Sequence, residues 1–199
     1  VLIYAQERVT QCISSEAGCR LGCSFCATAR LGYRRSLTVS EYISQVLLIS
    51  NSIEKRPTNL VFMGMGEPLM NTENLIRSIR ILTDSHGFDF GLRKITVSTA
   101  GIIPEIERLI TEFPNIGVAI SLNAADEKKR TELMPINRRY SIKEIFNFLT
   151  SKQRLFKRRP TIEYILIDGI NDSEKDADRL IKLTNKIPCK INLIPYNPY

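Results

Sequence analysis

Short apolar segments rich in β-branched residues alternate along the chain with longer amphipathic segments. Each apolar segment has the length of a strand, about 4–8 residues. Because most of them are apolar throughout, the pattern is typical of parallel strands that are covered on both faces. The six predicted strands cover residues 9–14, 59–65, 94–98, 116–122, 161–167 and 190–194.

The segments between the strands carry helix start signals and helical periodicity. Thr38-Val-Ser-Glu41 and Ser141-Ile-Lys-Glu144 are capping boxes, in which the hydroxyl and the carboxylate bond backbone N–H groups of the first turn. Apolar residues follow at helical spacing, so each group is expected to share one buried face. The groups are Ile43, Val46, Leu47 and Ile53; Leu75, Ile76, Ile79 and Leu82; and Ile106, Leu109, Ile110 and Phe113.

The order strand, helix, strand, helix predicts an α/β fold with a parallel sheet and right-handed crossovers. Six strands are too few for a closed eight-stranded barrel, which leaves an open doubly wound sheet or a partial barrel. No repeat or flexible linker interrupts the chain, so residues 1–199 are predicted to form a single domain. In either architecture, functional residues are expected at the carboxyl ends of the strands.

Composition is that of a globular protein, with 43% hydrophobic and 25% charged residues in 199. No apolar run approaches the roughly 20 residues of a membrane span, and neither disorder nor collagen fits this composition. The first residues lack the charged-then-apolar order of a signal peptide and a starting Met, which suggests a piece of a longer protein. Five cysteines, four of them close together near the start, form a poor disulfide framework and favour a reduced, cytoplasmic chain.

Positive charge is in excess, with 28 Lys and Arg against 21 Asp and Glu and a formal charge of +7. Basic groups such as Arg34 with Arg35, Lys128 to Arg130, and Arg138 with Arg139 would attract a phosphate backbone. Ordinary solubilising charge explains the same excess, so charge alone leaves both interpretations open.

A cysteine cluster, Cys19-Arg-Leu-Gly-Cys23-Ser-Phe-Cys26, follows the first predicted strand. A structural zinc site needs four ligands, and the only histidine, His86, is remote, while Cys12 lies inside the strand. Three thiolates instead suit a 4Fe–4S cluster in which one iron has no protein ligand and can take a small molecule. The spacing therefore favours an iron–sulfur site.

Three further motifs end at strand termini, on the same side as the cysteines. Gly64-Met-Gly-Glu-Pro68 follows the second predicted strand, Ser98-Thr-Ala-Gly101 the third, and Ser121-Leu-Asn123 the fourth. A carboxylate and free backbone carbonyls there can hold an ammonium group, while hydroxyl and amide groups suit a carboxylate or a ribose. Together these groups could bind an amino-acid-bearing nucleoside.

CxxxCxxC after the first strand of a repeating β/α chain resembles the signature of radical S-adenosylmethionine (radical SAM) enzymes. Over its whole length the chain resembles one group of them, the bacterial radical SAM RNA adenine-C2 methyltransferases. The motifs that carry this resemblance are Thr-Gln-Cys-Ile-Ser-Ser-Glu-Ala-Gly-Cys, Phe-Met-Gly-Met-Gly-Glu-Pro-Leu, Lys-Ile-Thr-Val-Ser-Thr-Ala-Gly, Leu-Met-Pro-Ile-Asn and Asn-Leu-Ile-Pro-Tyr-Asn-Pro. The resemblance implies a partial (β/α)6 barrel with parallel strands.

The resemblance also implies roles for individual residues. Cys19, Cys23 and Cys26 would bind the 4Fe–4S cluster, and Cys12 would take the C2 proton of the methylated adenosine. The implied contacts to S-adenosyl-L-methionine are Gly66, Glu67, Ser98, Ser121, Leu122, Asn123 and Asn197.

The implied reaction is radical methylation of adenosine C2 in large-subunit (23S) ribosomal RNA and in transfer RNA. One cofactor molecule methylates a protein cysteine, and reductive cleavage of a second gives a 5′-deoxyadenosyl radical that activates this methyl group. C2 is electron-poor, so polar methyl transfer is unsuitable, and the radical requires a site that excludes water. Implied partners are both RNAs and a flavodoxin or ferredoxin electron donor, with a monomeric, cytoplasmic protein and no membrane.

The chain departs from the family pattern in several places. The N-terminal accessory RNA-binding region, a glutamate before Val1 and the methyl-carrying cysteine are expected beyond the ends of this sequence, and Asn123 stands where the family usually has His. Cys189 is predicted not to replace that cysteine, because it begins the last strand, at the opposite end from the cluster.

Two alternatives remain. A sister group methylates C8 of the adenine instead, although Gly-Glu-Pro rather than Gly-Glu-Ala favours C2. A non-catalytic RNA-binding module with zinc in the cysteine cluster would also use the positive charge.

Overall fold

The computed structural model describes residues 1–53 and 56–198, and these form nine strands and seven α-helices. The strands are β1 (Leu2–Ala5), β2 (Arg8–Cys12), β3 (Glu16–Gly18), β4 (Tyr33–Ser36), β5 (Asn59–Phe62), β6 (Ile95–Thr99), β7 (Gly117–Ser121), β8 (Thr161–Leu166) and β9 (Lys190–Pro195). The α-helices are α1 (Ala27–Arg30), α2 (Val39–Ser52), α3 (Thr72–Thr83), α4 (Ile103–Glu112), α5 (Glu127–Leu133), α6 (Ile142–Ser151) and α7 (Glu174–Thr184). Short 3₁₀-helices cover Pro68–Met70, Leu92–Lys94, Pro135–Arg138 and Gln153–Leu155.

The main sheet of the described chain has the strand order β1-β2-β5-β6-β7-β8-β9. β1 pairs antiparallel with β2, and every other neighbouring pair is parallel. The parallel strands are the six predicted ones, with at least one helix in each connection between them. The sheet curls into a half-barrel, so the α/β prediction is confirmed and the partial (β/α)6 barrel is the correct architecture.

The main core lies between the sheet and the helices that cover it. Alternate strand residues such as Leu60, Phe62, Ile95 and Val97 are fully buried there, as the twofold repeat of a strand requires. The intervening residues face the inside of the half-barrel, where Ser98 and similar polar side chains are only partly buried. The prediction of strands covered on both faces is therefore confirmed for β7, in which four successive residues are buried. It is wrong for the edge strand β9, which is largely exposed.

The helix signals are mostly confirmed. Both predicted capping boxes are present, and the predicted faces of α3 and α4 are buried. The predicted face of α2 is wrong in part, because Leu47 is 45% exposed while Tyr42 is fully buried. α2 packs through a narrow stripe at spacing i and i+4, Tyr42 and Val46, instead of a broad face.

A two-stranded antiparallel sheet, β3 with β4, was not predicted. β2 ends at Cys12, and β3 intervenes before Cys19. The cysteine cluster therefore does not continue directly from the first parallel strand; it lies in the connection between two short paired strands. Hydrogen-bond pairing between residues 15 to 20 positions apart has no local signature in the sequence, which is why periodicity missed it.

Cys189 lies immediately before β9 and packs against the main core. Ile194, near the far end of β9, reaches the cavity that also holds the three clustered cysteines. The predicted position of Cys189 at the opposite end of the sheet is thus confirmed. No described helix is long and apolar enough to cross a membrane.

Candidate functional site

A cavity of about 320 Å³ opens at the carboxyl ends of the parallel strands. It lies between the Cys loop (residues 19–26) and the segments that follow β5, β6 and β7. The predicted site residues that line it are Cys19, Cys23, Cys26, Gly66, Glu67, Ser98, Ser121 and Asn123. Four separate sequence motifs therefore meet in one cavity, as parallel strands lead one to expect.

The Cys loop is held by contacts on both sides. Arg20 forms an ion pair of 2.9 Å with the buried carboxylate of Glu16, and its guanidinium lies 3.9 Å from the ring centre of Tyr33. The Ser24 N–H donates to the Leu133 carbonyl at the end of α5, at 3.0 Å. These contacts position the loop without using the thiols.

Gly18 allows the chain to turn into this loop. Its φ of +84° lies in the left-handed region, and a Cβ there would stand 1.7 Å from the carbonyl oxygen of Gly32. That same carbonyl accepts the Cys19 N–H at 3.1 Å. A side chain at position 18 would displace the first clustered cysteine.

The three clustered thiols suit an iron–sulfide core, which is positively charged. Burial raises the pKa of Cys19, and burial together with the neighbouring thiols Cys19 and Cys26 raises the pKa of Cys23 to about 12. Each thiolate would disfavour the next, so the thiols need a strongly positive partner in order to ionise together. Among the described residues no group of three His, Cys, Asp or Glu side chains is arranged to hold a single metal ion. All three thiols line one cavity, as a cluster with a thiolate on each of three irons requires.

Glu67 is buried beneath the cavity and bonds backbone groups. Its carboxylate accepts the Ala100 N–H at 2.7 Å and the Leu69 N–H at 3.1 Å, and Thr99 bonds it as well. Burial raises the pKa of Glu67 to about 7. A carboxylate has about four lone-pair positions, so one remains for a ligand group.

Gly66 packs against the start of the Cys loop. A Cβ on Gly66 would stand 2.5 Å from the Cβ of Glu16, and φ at Gly66 is +96°. The carboxylate of Glu16 also accepts the Glu67 N–H at 3.2 Å. Glu16, which the sequence analysis did not select, therefore joins the Cys loop to the loop that carries Glu67.

A hydroxyl–carboxylate cluster lies on the inner face of the sheet. Ser98 Oγ donates to the carboxylate of Glu163 at 2.7 Å, and Ser121 Oγ lies 3.4 Å from that carboxylate and from Ser98 Oγ. Glu163 is 8% exposed and lines the cavity. Sequence reasoning missed Glu163, although a single acidic residue inside an apolar strand was a usable signal.

The other expected cofactor contacts are placed differently. Leu122 is fully buried in the main core and does not line the cavity, and Asn197 is exposed beyond β9. Asn123 does line the cavity, in the left-handed conformation at φ +56°. Its amide already bonds the Ile165 N–H at 3.0 Å and the Met134 sulfur at 3.4 Å.

Cys12 is the last residue of β2 and pairs with Val61 of β5. The Cys12 side chain is half-buried and lies next to the cavity without lining it. Burial raises the pKa of Cys12, while a hydrogen bond to the backbone of Met63 lowers it. Met63 lines the cavity. The thiol is therefore adjacent to the space in which a substrate of this cavity would lie.

Not all of the basic residues lie on the surface. Arg34, Arg138 and Arg139 are exposed, and exposed Arg35 forms a two-bond ion pair with Glu41. Arg130 is fully buried, so its assignment to a basic surface run is wrong. Its neighbours Lys128 and Lys129 gave no sign of this, because helical periodicity places successive residues on different faces.

Comparison with known proteins agrees with this arrangement. A model of the Radical SAM superfamily matches residues 13–181. A dual-specificity RNA methyltransferase RlmN of Pelobacter propionicus is 45% identical over all 199 residues, which span 57% of that protein. A probable enzyme of the same name from Thermotoga neapolitana is 44% identical over 198 residues, with 58% of its length covered. The chain thus spans little more than half the length of these curated relatives.

Solved structures share the fold. A radical SAM methyltransferase from Sphaerobacter thermophilus has a TM-score of 0.95 and 43% identity, covering 99% of this chain and 59% of that one. SuiB of Streptococcus suis, solved with S-adenosylmethionine, has a TM-score of 0.65 over 97% of this chain and 43% of its own, at 18% identity. The second likeness concerns the fold alone. A family match over most of the chain, with its cysteines at the carboxyl ends of a parallel half-barrel, shows that the chain belongs to the radical SAM superfamily.

Proposed function

We propose that this chain is the radical SAM core of an enzyme that methylates C2 of an adenosine in 23S ribosomal RNA and in transfer RNA. The observation that carries the proposal is the meeting of three thiols, Glu67 and the two serines in one cavity. The relatives named dual-specificity RNA methyltransferases support the substrate class. We further propose a monomer in the cytoplasm that receives electrons from a flavodoxin or ferredoxin.

Superfamily members use a 4Fe–4S cluster and S-adenosylmethionine, and the reduced cluster supplies the electron that cleaves the cofactor to a radical. In this chain Cys19, Cys23 and Cys26 would hold the cluster, each as a thiolate. Because burial favours the protonated thiols, binding releases protons and strengthens as pH rises. Phe25 and Leu21 line the cavity beside the thiols and limit the access of water.

Ser98 and Ser121 would contact the ribose of S-adenosylmethionine. The Ser98 hydrogen is directed to Glu163, and the Ser121 hydrogen is directed to Glu163 or to Ser98. Their lone pairs therefore remain for the cavity, where they can accept hydrogen bonds but not donate them. Ribose hydroxyls are donors and match this arrangement, whereas a carboxylate does not.

Glu163→Gln is expected to weaken ribose binding about 2- to 12-fold, which corresponds to about 0.5–1.5 kcal/mol for one neutral hydrogen bond. The new amide donates to the serine oxygens and so occupies the lone pairs that would receive the ribose. Calorimetric titration with 5′-deoxyadenosine measures the change. The 2′,3′-dideoxy analogue is the control, and we expect the variant to bind it as the wild type does. An equal loss for both compounds would show that Glu163 serves only the fold.

Cys12 would take the C2 proton from the methylated base. Its thiol stands beside the cavity wall at Met63, and the raised pKa makes its thiolate a stronger base. Arg34, Arg138 and Arg139 remain exposed for the phosphate backbone.

The experiment that tests the proposal uses the full-length protein that contains this chain, reconstituted without oxygen. We expect about four irons per chain and, with a reductant and cofactor, 2-methyladenosine in ribosomal and transfer RNA fragments, identified by mass spectrometry of the nucleosides. 8-Methyladenosine would instead indicate the sister activity. One zinc per chain with no methylated product would favour a non-catalytic RNA-binding module.

A further inference from the structure

Arg130 is a buried cation, and no carboxylate among the residues that the structure describes forms an ion pair with it. All five N–H groups of its guanidinium donate to neutral oxygens, and the side chain is fully buried. The acceptors are the carbonyls of Leu122 (3.0 Å), Tyr140 (3.1 Å), Ala100 (2.7 Å) and Ser121 (3.2 Å) and the side-chain oxygen of Asn137 (2.7 Å).

The guanidinium lies directly behind the wall of the functional cavity. Ala100 and Ser121, which accept from it, both line that cavity. α5 carries Arg130, and its last residue, Leu133, accepts the Ser24 N–H of the Cys loop. Cys23 packs against the small cluster that contains Leu133 and Met134. Ala100 and Ser121 therefore lie between the guanidinium of Arg130 and the cavity that the thiols line.

Arg130 keeps its positive charge in this buried position. Burial lowers the pKa of Arg130 to about 10, and the negative charge of Glu127 is the largest effect that opposes this shift. Since the Arg130 pKa still lies well above 7, the guanidinium is charged at neutral pH.

Burial of a cation without an ion-pair partner is unfavourable unless an anion compensates its charge. The charge of Glu127 acts on Arg130, but the Glu127 carboxylate bonds the Asn137 amide at 2.8 Å and not the guanidinium itself. Three thiolates outweigh the positive charge of an iron–sulfide core, so the assembly in the cavity is anionic and becomes more so on reduction. That anion would add to the partial compensation that Glu127 supplies to Arg130.

We propose that the positive charge of Arg130 stabilises the reduced, more negative cluster and so raises the reduction potential of the cluster. This charge is fixed behind the cavity wall that Ala100 and Ser121 form. All donors of Arg130 are occupied, so it acts through its field and not by contact with a ligand. The inference rests on the cluster assignment made above.

The test compares midpoint potentials of reconstituted full-length protein, followed by electron paramagnetic resonance during a redox titration. In Arg130→Gln we expect the ratio of reduced to oxidised cluster at a fixed potential to fall at least tenfold, a shift of about 59 mV for one electron. Arg130→Lys retains the charge and should stay within about threefold of the wild type. Lys128→Gln, an exposed charge removed from the same helix, is the matched control and should not shift.

Asn137→Asp provides a variant that keeps Arg130 in place. It sets a carboxylate on the guanidinium, where Asn137 now accepts at 2.7 Å. Because the Asn137 amide also donates to the Glu127 carboxylate at 2.8 Å, Glu127→Gln is made in the same protein so that two carboxylates do not face each other. The pair should lower the potential relative to Glu127→Gln alone, in the same direction as Arg130→Gln. Unchanged potentials in both variants would overturn the proposal, as would loss of cluster uptake in Arg130→Lys, which would indicate a purely structural role. A wild type that takes up no cluster would instead contradict the proposed function.

Discussion

Iron and sulfide are expected to be lost almost completely from Cys19→Ala, Cys23→Ala and Cys26→Ala after anaerobic reconstitution. Each variant leaves two thiolates to hold the cluster in a cavity that is open to solvent on one side. The Cys loop itself should keep its position, because Arg20, Glu16 and the Ser24–Leu133 hydrogen bond hold it independently of the thiols. Colorimetric iron and sulfide assays, together with the visible absorbance of the protein, measure the loss.

Cys12→Ala and Cys189→Ala are the matched controls. Cys12 stands beside the cavity and Cys189 at the opposite end of the sheet, so both variants should retain full iron content. Full iron in Cys23→Ala would remove the basis for assigning these three residues as ligands. Loss of iron in Cys189→Ala with the fold intact would contradict the placement of β9.

Glu67→Gln is expected to weaken S-adenosylmethionine binding roughly 10- to 150-fold, equivalent to about 1.5–3 kcal/mol for a hydrogen bond to a charged group. The free lone-pair position of the Glu67 carboxylate is the one that would accept the ammonium group of the cofactor. Because the Glu67 pKa is raised to about 7, wild-type affinity should increase as pH rises through 7 and the carboxylate ionises. Calorimetric titration at several pH values measures both effects.

Glu67→Gln should also change the pH dependence of the free energy of unfolding. The folded-state pKa of Glu67 is raised, so its contribution to stability is fully present below its unfolded pKa and is lost as pH rises through about 7. That contribution is about 3 kcal/mol, and Glu67→Gln should lack this pH dependence. Chemical unfolding of the cluster-free protein at pH 5 and pH 8 measures it. Glu132→Gln, which changes an exposed carboxylate, is the control for the unfolding measurement. In the binding measurement, an unchanged cofactor affinity of Glu67→Gln would show that Glu67 bonds only the protein backbone and not the cofactor.

Local sequence patterns were sufficient to predict the alternating strands and helices. A capping box such as Ser141 with Glu144 uses groups three residues apart, and the α3 face of Leu75, Ile79 and Leu82 repeats within one helix. These patterns did not determine the sequential strand order, because the same β/α repeat fits an open doubly wound sheet as well as a partial barrel, and only the resemblance implied the barrel. The meeting of the cysteines with Glu67 was still predictable, since the carboxyl ends of parallel strands share one edge.

Tertiary structure alone decided which polar groups are buried together. Glu163 meets Ser98 across 65 positions of sequence, and Arg130 donates to the Ala100 carbonyl across 30 positions. The cost of burying such a charge depends on every neighbour that replaces water, so it cannot be inferred from adjacent residues. Lys128 and Arg130 are indistinguishable in sequence as members of a basic run, yet one is exposed and the other fully buried. Sequence by itself determined the repeating frame and placed the three clustered cysteines at the carboxyl ends of its strands. The packing of that frame decided the electrostatic surroundings of the site.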